Sequence, residues 1–236
     1  MSANRHANIF WRDFIAARAS IEARLAAAAP ARGPTPYPVM RAYFADVVDA
    51  LAAYDPALTP EIERAPSGAW RLVVSADGAA ESFASARDLI AAAPAIDGWR
   101  LEALRPRRAP PARIDGPGVS IELSRLRFAY GLANDRMVAM LLIEGRMPAD
   151  RHEAQFLARR LVADLLGEAD EATWIADTRL VSYEDWLAIT PGGRSWPIGE
   201  LASRFDAIFH PAPRAPAELT EAAGPVAAEE DMALCA

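Results

Sequence analysis

Residues 70–108 constrain the fold of this chain more than any other stretch: WRLVVSADG, AAESFASARDLIAAAPAIDG and WRLEALRPRR read as strand, tight turn, helix, loop and strand. Leu72, Val73 and Val74 form a short apolar run rich in β-branched side chains. Asp77-Gly78 ends it with a pair that tolerates left-handed backbone. Glu81 or Ser82 can cap a helix in which Phe83, Ala86, Leu89 and Ile90 recur at helical spacing until Pro94 forbids another turn. Trp99, Leu101 and Ala103 then alternate with Arg100 and Glu102, the period of a strand with one buried face. The stretch sets the fold class as α+β and says nothing of function.

Read as hydrophobic strand, S-A-D-G, Phe, helix, A-A-P, Trp, strand and R-P-R-R, residues 72–108 resemble a bacterial family of uncharacterised proteins, the domain of unknown function 695 family. Leu165-Leu166-Gly167-Glu168, with the extended run through Trp174 and Ile175, is similar to that family's second signature, with Ala169 where the family carries a bulkier residue. The resemblance extends over about residues 10–209 and carries over no catalytic residue. It implies a regulatory role beside a partner, because in some bacterial proteins a domain of this kind adjoins a ribonuclease-regulator domain.

The other elements are set by periodicity. Ile9, Phe10, Phe14, Ala17, Ile21 and Leu25 share one face of a helix over 8–29, a Pro- and Gly-rich connector covers 30–38, and a second helix over 39–53 buries Met40, Tyr43, Phe44, Val47 and Leu51. Segments 61–65 and 71–75 make a hairpin across Pro66-Ser67-Gly68. The stretch 107–118, with Pro110, Pro111 and Pro117, reads as an exposed loop inside one domain. A second hairpin joins 125–131 to 137–144 across Ala133-Asn134-Asp135, and the nearly all-apolar 137–143 suits a central strand covered on both faces. A helix over 150–166 carries the stripe Phe156, Leu157, Leu161 and Leu165 and ends at Gly167. A strand over 174–183 and a helix over 198–209 complete the pattern. The expected architecture is an antiparallel or mixed β-sheet covered by four or five helices, built from β-hairpin, helix and strand units. Residues 1–210 form a single α+β domain with a hint of two similar halves meeting near 107–118, and 211–236 form a disordered acidic Pro/Ala/Glu tail.

Composition excludes more than it suggests. The net charge of −7 disfavours nucleic acid, since counterion release needs a basic footprint. All 25 basic residues are arginine, so any anion would be met by a planar guanidinium. The single cysteine, Cys235, forbids an intrachain disulfide or thiolate cluster. The opening MSANRHANIFWRDF lacks a signal-like apolar stretch, and 137–143 is far too short to span a bilayer. The expectation is a cytoplasmic protein without a membrane segment.

Candidate chemistry is sparse. His6 falls in a frayed N-terminus, His152 in a first helical turn and His210 at a helix end, with no ligand spacing among them. Ser75 lacks G-x-S-x-G. Glu168, Asp170, Glu171 and Asp177 could suggest a cation site but lack EF-hand spacing, and their place after a helix C-terminus argues that they point to water. Arg105, Arg107, Arg108 and Arg113 make the one basic cluster, read either as a solvated strand end or as a site for phosphate, RNA or an acidic protein face. Trp186 and Trp196 flank Pro191-Gly192-Gly193, Arg194 and Ser195, the one place where aromatic residues, an arginine and a flexible loop coincide.

The sequence therefore points first to a non-enzymatic regulatory or protein-interaction module with a protein partner, without metal or cofactor, and compatible with a homo-oligomer. Its binding residues would be Arg105, Arg107, Arg108, Arg113, Trp186, Arg194 and Trp196. The alternatives are a small-molecule-binding or hydrolytic protein using the carboxylates Asp77, Glu168 and Asp177, or an RNA-associated regulator acting through the arginine loop.

Overall fold

Phe10, Phe14, Ile21 and Leu25 recur at helical spacing, and in the computed structural model of the chain they turn one face of α1 (Ser2–Ala27) inward. The structure describes residues 2–27, 44–64 and 68–211, with side chains from His6 onward. The 30–38 connector, Met40, Tyr43, the Pro66-Ser67 turn and the acidic tail lie outside the described residues. His6 belongs to α1 rather than to a frayed end, and Ile9, expected on the buried face, is exposed. Helix α2 (Ala45–Tyr54) adds Val47 and Leu51 to the same core.

The first sheet is shaped by alternation. Ile62, Leu72 and Val74 face α1 and α2, whereas Glu61, Glu63, Arg71 and Glu102 occupy the opposite face. Strand β1 (Thr59–Arg64) pairs antiparallel with β2 (Trp70–Ser75). After α3 (Phe83–Ala91), β3 (Trp99–Ala103) lies parallel to β2, giving the order β1-β2-β3. Trp11 on α1 donates its indole N–H to the carbonyl of Leu89 on α3 at 2.8 Å, fixing helix to helix over the sheet.

Where a loop was expected over 107–118, Arg113–Gly116 (β4) and Val119–Glu122 (β5) form a small antiparallel ribbon. Its inward residues Ile114, Val119 and Ile121 alternate with exposed ones and join the second core, an alternation that the surrounding prolines and glycines obscured in the sequence. The ribbon leads into β6 (Leu126–Ala133) and β7 (Arg136–Ile143). Their two-residue turn has both Asn134 and Asp135 at positive φ, 51° and 60°, as a tight hairpin demands.

Helix α4 (Arg151–Leu166) opens on Asp150, whose carboxylate accepts from the Glu153 N–H. A short helix α5 (Glu168–Trp174) stands where an acidic run facing water was expected. Then β8 (Ile175–Ser182) lies parallel to β7. Helix α6 (Tyr183–Ile189), the two-residue β9 (Trp196–Pro197) and α7 (Leu201–Phe209) complete the chain, and the second sheet runs β8-β7-β6-β9. Both larger sheets are mixed and share one connectivity: an antiparallel hairpin, a helical crossing, then a strand parallel to the hairpin's second strand.

Strand β7 is covered on both sides, as its apolar run predicted. Met137, Ala139, Leu141 and Ile143 meet α4 and α7, while Leu142 meets Trp186 of α6. Phe156, expected in the buried stripe of α4, is instead 55% exposed, because Leu157, Leu161 and Leu165 turn the helix so that Phe156 looks away from the sheet. No helix among the described residues is long and apolar enough to cross a membrane.

Candidate functional site

The chain passes from the first half to the second through Leu104–Arg108, and this segment builds the site. Leu104, buried and at φ 63°, is a bulky residue in left-handed backbone, a strain of about 1–3 kcal/mol that surrounding contacts must hold. Its N–H donates to Val74 at 2.8 Å, which fixes the bend just before Arg105.

Glu168 meets the segment from the other side. It is 2% exposed, and its carboxylate accepts three backbone N–H groups: Ala76 at 2.8 Å and Gly78 at 3.2 Å on one oxygen, Arg105 at 2.9 Å on the other. The Glu168 N–H in turn donates to the Arg105 carbonyl at 3.0 Å. The Asp77-Gly78 turn thus forms a small anion nest occupied by the chain's own carboxylate. Gly167 permits the approach: its φ is 80°, and a Cβ there would stand 3.2 Å from the Arg107 nitrogen.

The expected basic cluster is here, but its guanidinium groups are committed. Arg105 pairs with Glu61 and Asp77; burial pulls its pKa down, but Glu61, Asp77 and Glu168 outweigh burial and hold it above the ordinary value. Arg107 grips both oxygens of Asp206 on α7, at 2.8 and 2.7 Å, and Asp170 on α5 at 2.7 Å, and its Nε donates to the Leu166 carbonyl at 2.9 Å. Arg108 lies within 3.5 Å of Glu61 and Glu63, and its backbone N–H donates to the Asp164 carbonyl at 2.7 Å. Two carbonyls at the end of α4 are satisfied by this segment. Arg113 stands apart on β4, exposed and paired with Asp115 at 3.0 Å.

The second expected locus is a packing arrangement. Trp186 is 4% exposed, stacked against Tyr183 and pressed on Gly193, so it presents no ring to a partner. Trp196 is half-buried between Tyr130 and Phe128, with the Arg204 guanidinium 4.3 Å from its ring centroid. Arg194 is exposed on the loop between them. Asp177 pairs with Arg179 at 2.7 Å, and that hydrogen bond holds its carboxyl below the ordinary range. His210, expected at the end of the last helix, lies 3.0 Å from Asp170.

A cleft of about 490 Å³ opens where the two halves meet. One wall is the start of β1 with Asp77 and Arg105. The other is the outward face of α4, where Phe156, Arg159, Arg160, Ala163 and Asp164 recur at helical spacing, and α5 closes it with Glu168 and Glu171. The cleft lies beyond the carboxyl ends of the parallel strands β2 and β3, a place where open sheets accept ligands. Sequence reasoning named Asp77, Arg105, Glu168 and, within the acidic run, Glu171, but missed Asp164 and the α4 face. The four-residue recurrence of Phe156, Arg160 and Asp164, with Arg159 and Ala163 between them, was the available signal.

Two of its carboxyls are perturbed. Burial raises the Asp164 pKa against the opposing pull of Arg108 and Arg160, which approach only to 3.9 and 4.0 Å. Burial, reinforced by the Glu168 charge, raises that of Glu171 against the weaker pull of Arg105 and Arg136, and its side chain makes no hydrogen bond or ion pair among the described residues. The only hydroxyl among the lining side chains, Thr59, donates to Asp77 at 3.0 Å, and Arg105 holds the other Asp77 oxygen. Among the described residues no group of three or more His, Cys, Asp and Glu side chains converges as a metal-ligand set. Comparison with models of known protein families, with curated proteins and with solved structures finds no match to this chain.

Replacing Glu168 with Ala strands three backbone donors, and we expect a loss of about 3–5 kcal/mol in urea unfolding. A loss below about 1 kcal/mol would contradict the assigned role. Glu171 ionises later in the fold than in the unfolded chain, so its contribution to stability declines as pH rises from 4.5 through its raised value. Glu171→Gln is therefore expected to melt above the parent at neutral pH, with the difference vanishing near about pH 4. A pH-independent difference would refute this.

Proposed function

We propose that this chain is a binding protein for a low-mass polar ligand, held in the cleft between β1 and the outward face of α4. The observation that carries this reading is a carboxylate with no hydrogen bond or ion pair among the described residues in a concave site: Glu171 lines the cleft half-buried, and Arg105 and Arg136 act on it only through their more distant charge. A half-buried charge left unpaired costs stability, and such groups concentrate where a ligand supplies the missing partner. Binding is favoured over covalent catalysis because the Thr59 hydroxyl and Asp77 are engaged with each other and with Arg105. The arginine segment supports the same reading: Arg105 lines the cleft, and Arg105, Arg107 and Arg108 are paired with carboxylates rather than presented as free guanidinium groups to RNA.

Titration of the isotope-labelled full chain with pooled small metabolites, grouped by charge, tests this by amide chemical shifts. Perturbations are expected at residues 59, 61, 77–78, 105 and 156–171. Shifts confined elsewhere, or none from any pool, would remove the cleft as a ligand site.

A second reading, a protein-contact module, is favoured by one observation. On α6, Leu187 is 38% and Ile189 82% exposed, followed in the chain by the exposed Arg194. The strongly exposed Ile189 at the end of this helix suits a protein contact, and a regulatory partner is what the resemblance to the domain of unknown function 695 family implies. If so, a polypeptide that co-purifies with the parent in native mass spectrometry should be lost on Ile189→Glu. Its retention would exclude this face.

A further inference from the structure

We propose that the cleft ligand is a zwitterion with an aromatic body, an aromatic α-amino acid. This rests on the reading of the cleft as a ligand site and names what would fill it. Along α4 the residues Asp164, Arg160 and Phe156 succeed one another at four-residue spacing, so an acid, a guanidinium and a ring are set about 6 Å apart along the helix axis. The wall thus carries a negative, a positive and an apolar station in order.

Each station has capacity to spare. Arg160 and Asp164 approach only to 4.0 Å, beyond hydrogen-bond distance, and the Arg160 side chain is 52% exposed. Asp164 faces the same cleft as Glu171 and is otherwise approached by Arg108 no closer than 3.9 Å, and Arg160 is joined by Arg159, which is 63% exposed and reaches Asp177 no closer than 3.8 Å. Phe156 holds its ring 55% exposed beside them, at a cost that an apolar contact would recover.

The charges select the ligand. A simple cation would meet Arg159 and Arg160 as well as the acids. A phosphate or another anion would meet Asp164 and Glu171 in a chain of net charge −7. Because the two opposite protein charges stand only 4.0 Å apart, the ligand's own charges must sit close together, as on an α-amino acid, rather than at the ends of a long chain. Its ammonium then lies between Asp164 and Glu171, its carboxylate on Arg160 and its ring against Phe156.

Calorimetric titration of the full chain with L-phenylalanine, phenethylamine and 3-phenylpropionate at neutral pH separates the terms, since the three probes share a ring and differ in charge. Phenylalanine is expected to bind at least about tenfold more tightly than either singly charged probe. Arg160→Gln should reduce phenylalanine to the level of phenethylamine, and Phe156→Ala should weaken both. Both positions are exposed, so the fold should survive, and an unchanged melting temperature checks it. Equal affinity for phenethylamine and phenylalanine would overturn the zwitterion while leaving the cleft a ligand site. No heat from any probe, with cleft shifts still produced by pooled metabolites, would overturn the ligand class alone. No heat and no shifts would overturn both readings.

Discussion

One carboxylate ties the two halves of this protein together. Glu168 receives N–H groups from the turn after β2 and from the first residue beyond the bend after β3, and gives its own N–H back to Arg105. Hydrogen bonds to a charged acceptor are stronger than neutral ones, and a buried acceptor with three donors leaves none of those donors orphaned. Because the three donors come from two separate segments, Glu168 also fixes how the first sheet meets α4 and α5. The shape of the cleft is a consequence.

The arginine segment extends the same junction. Arg105 faces β1, Arg107 reaches α5 and α7, and Arg108 reaches β1 and α4, so three basic side chains fasten four elements. Such partly buried pairs add less net stability than their number suggests, since each charge loses water on burial. Their clearer effect is on geometry: a planar guanidinium with two carboxylate partners tolerates few arrangements. Against this frame the exposed face of α4 and Glu171, whose carboxylate makes no hydrogen bond or ion pair among the described residues, stand apart from the closely paired arginine segment.

Much of the fold was legible in the sequence because strands and helices announce themselves locally. Asp77-Gly78 as a turn, the two hairpins, α4 with its glycine stop, and β7 as a central strand all rest on patterns within a few residues. The misses also have local causes. Phe156 fits the apolar periodicity of α4, and only the packing of Leu157, Leu161 and Leu165 shows that the helix turns it outward. The β4–β5 ribbon was hidden by prolines and glycines on either side of its alternation. The acidic residues after Gly167 were read as lying past a helix C-terminus, yet Gly167 ends one helix and begins another, which turns Glu168 inward.

By itself, then, the sequence determined the α+β class, the order of most elements and the faces they bury, because these depend on side-chain periods of two and 3.6 residues. Only the tertiary structure decided what the charged residues do. Glu168 meets Ala76 across 92 positions and Arg105 across 63, and Arg107 meets Asp206 across 99. Periodicity carries no information over such separations. A guanidinium's partner is set by which strand ends and helix termini the topology brings within about 3 Å, so an arginine cluster that looked exposed became a clasp. An acidic run that looked solvated supplied the carboxylate it closes upon.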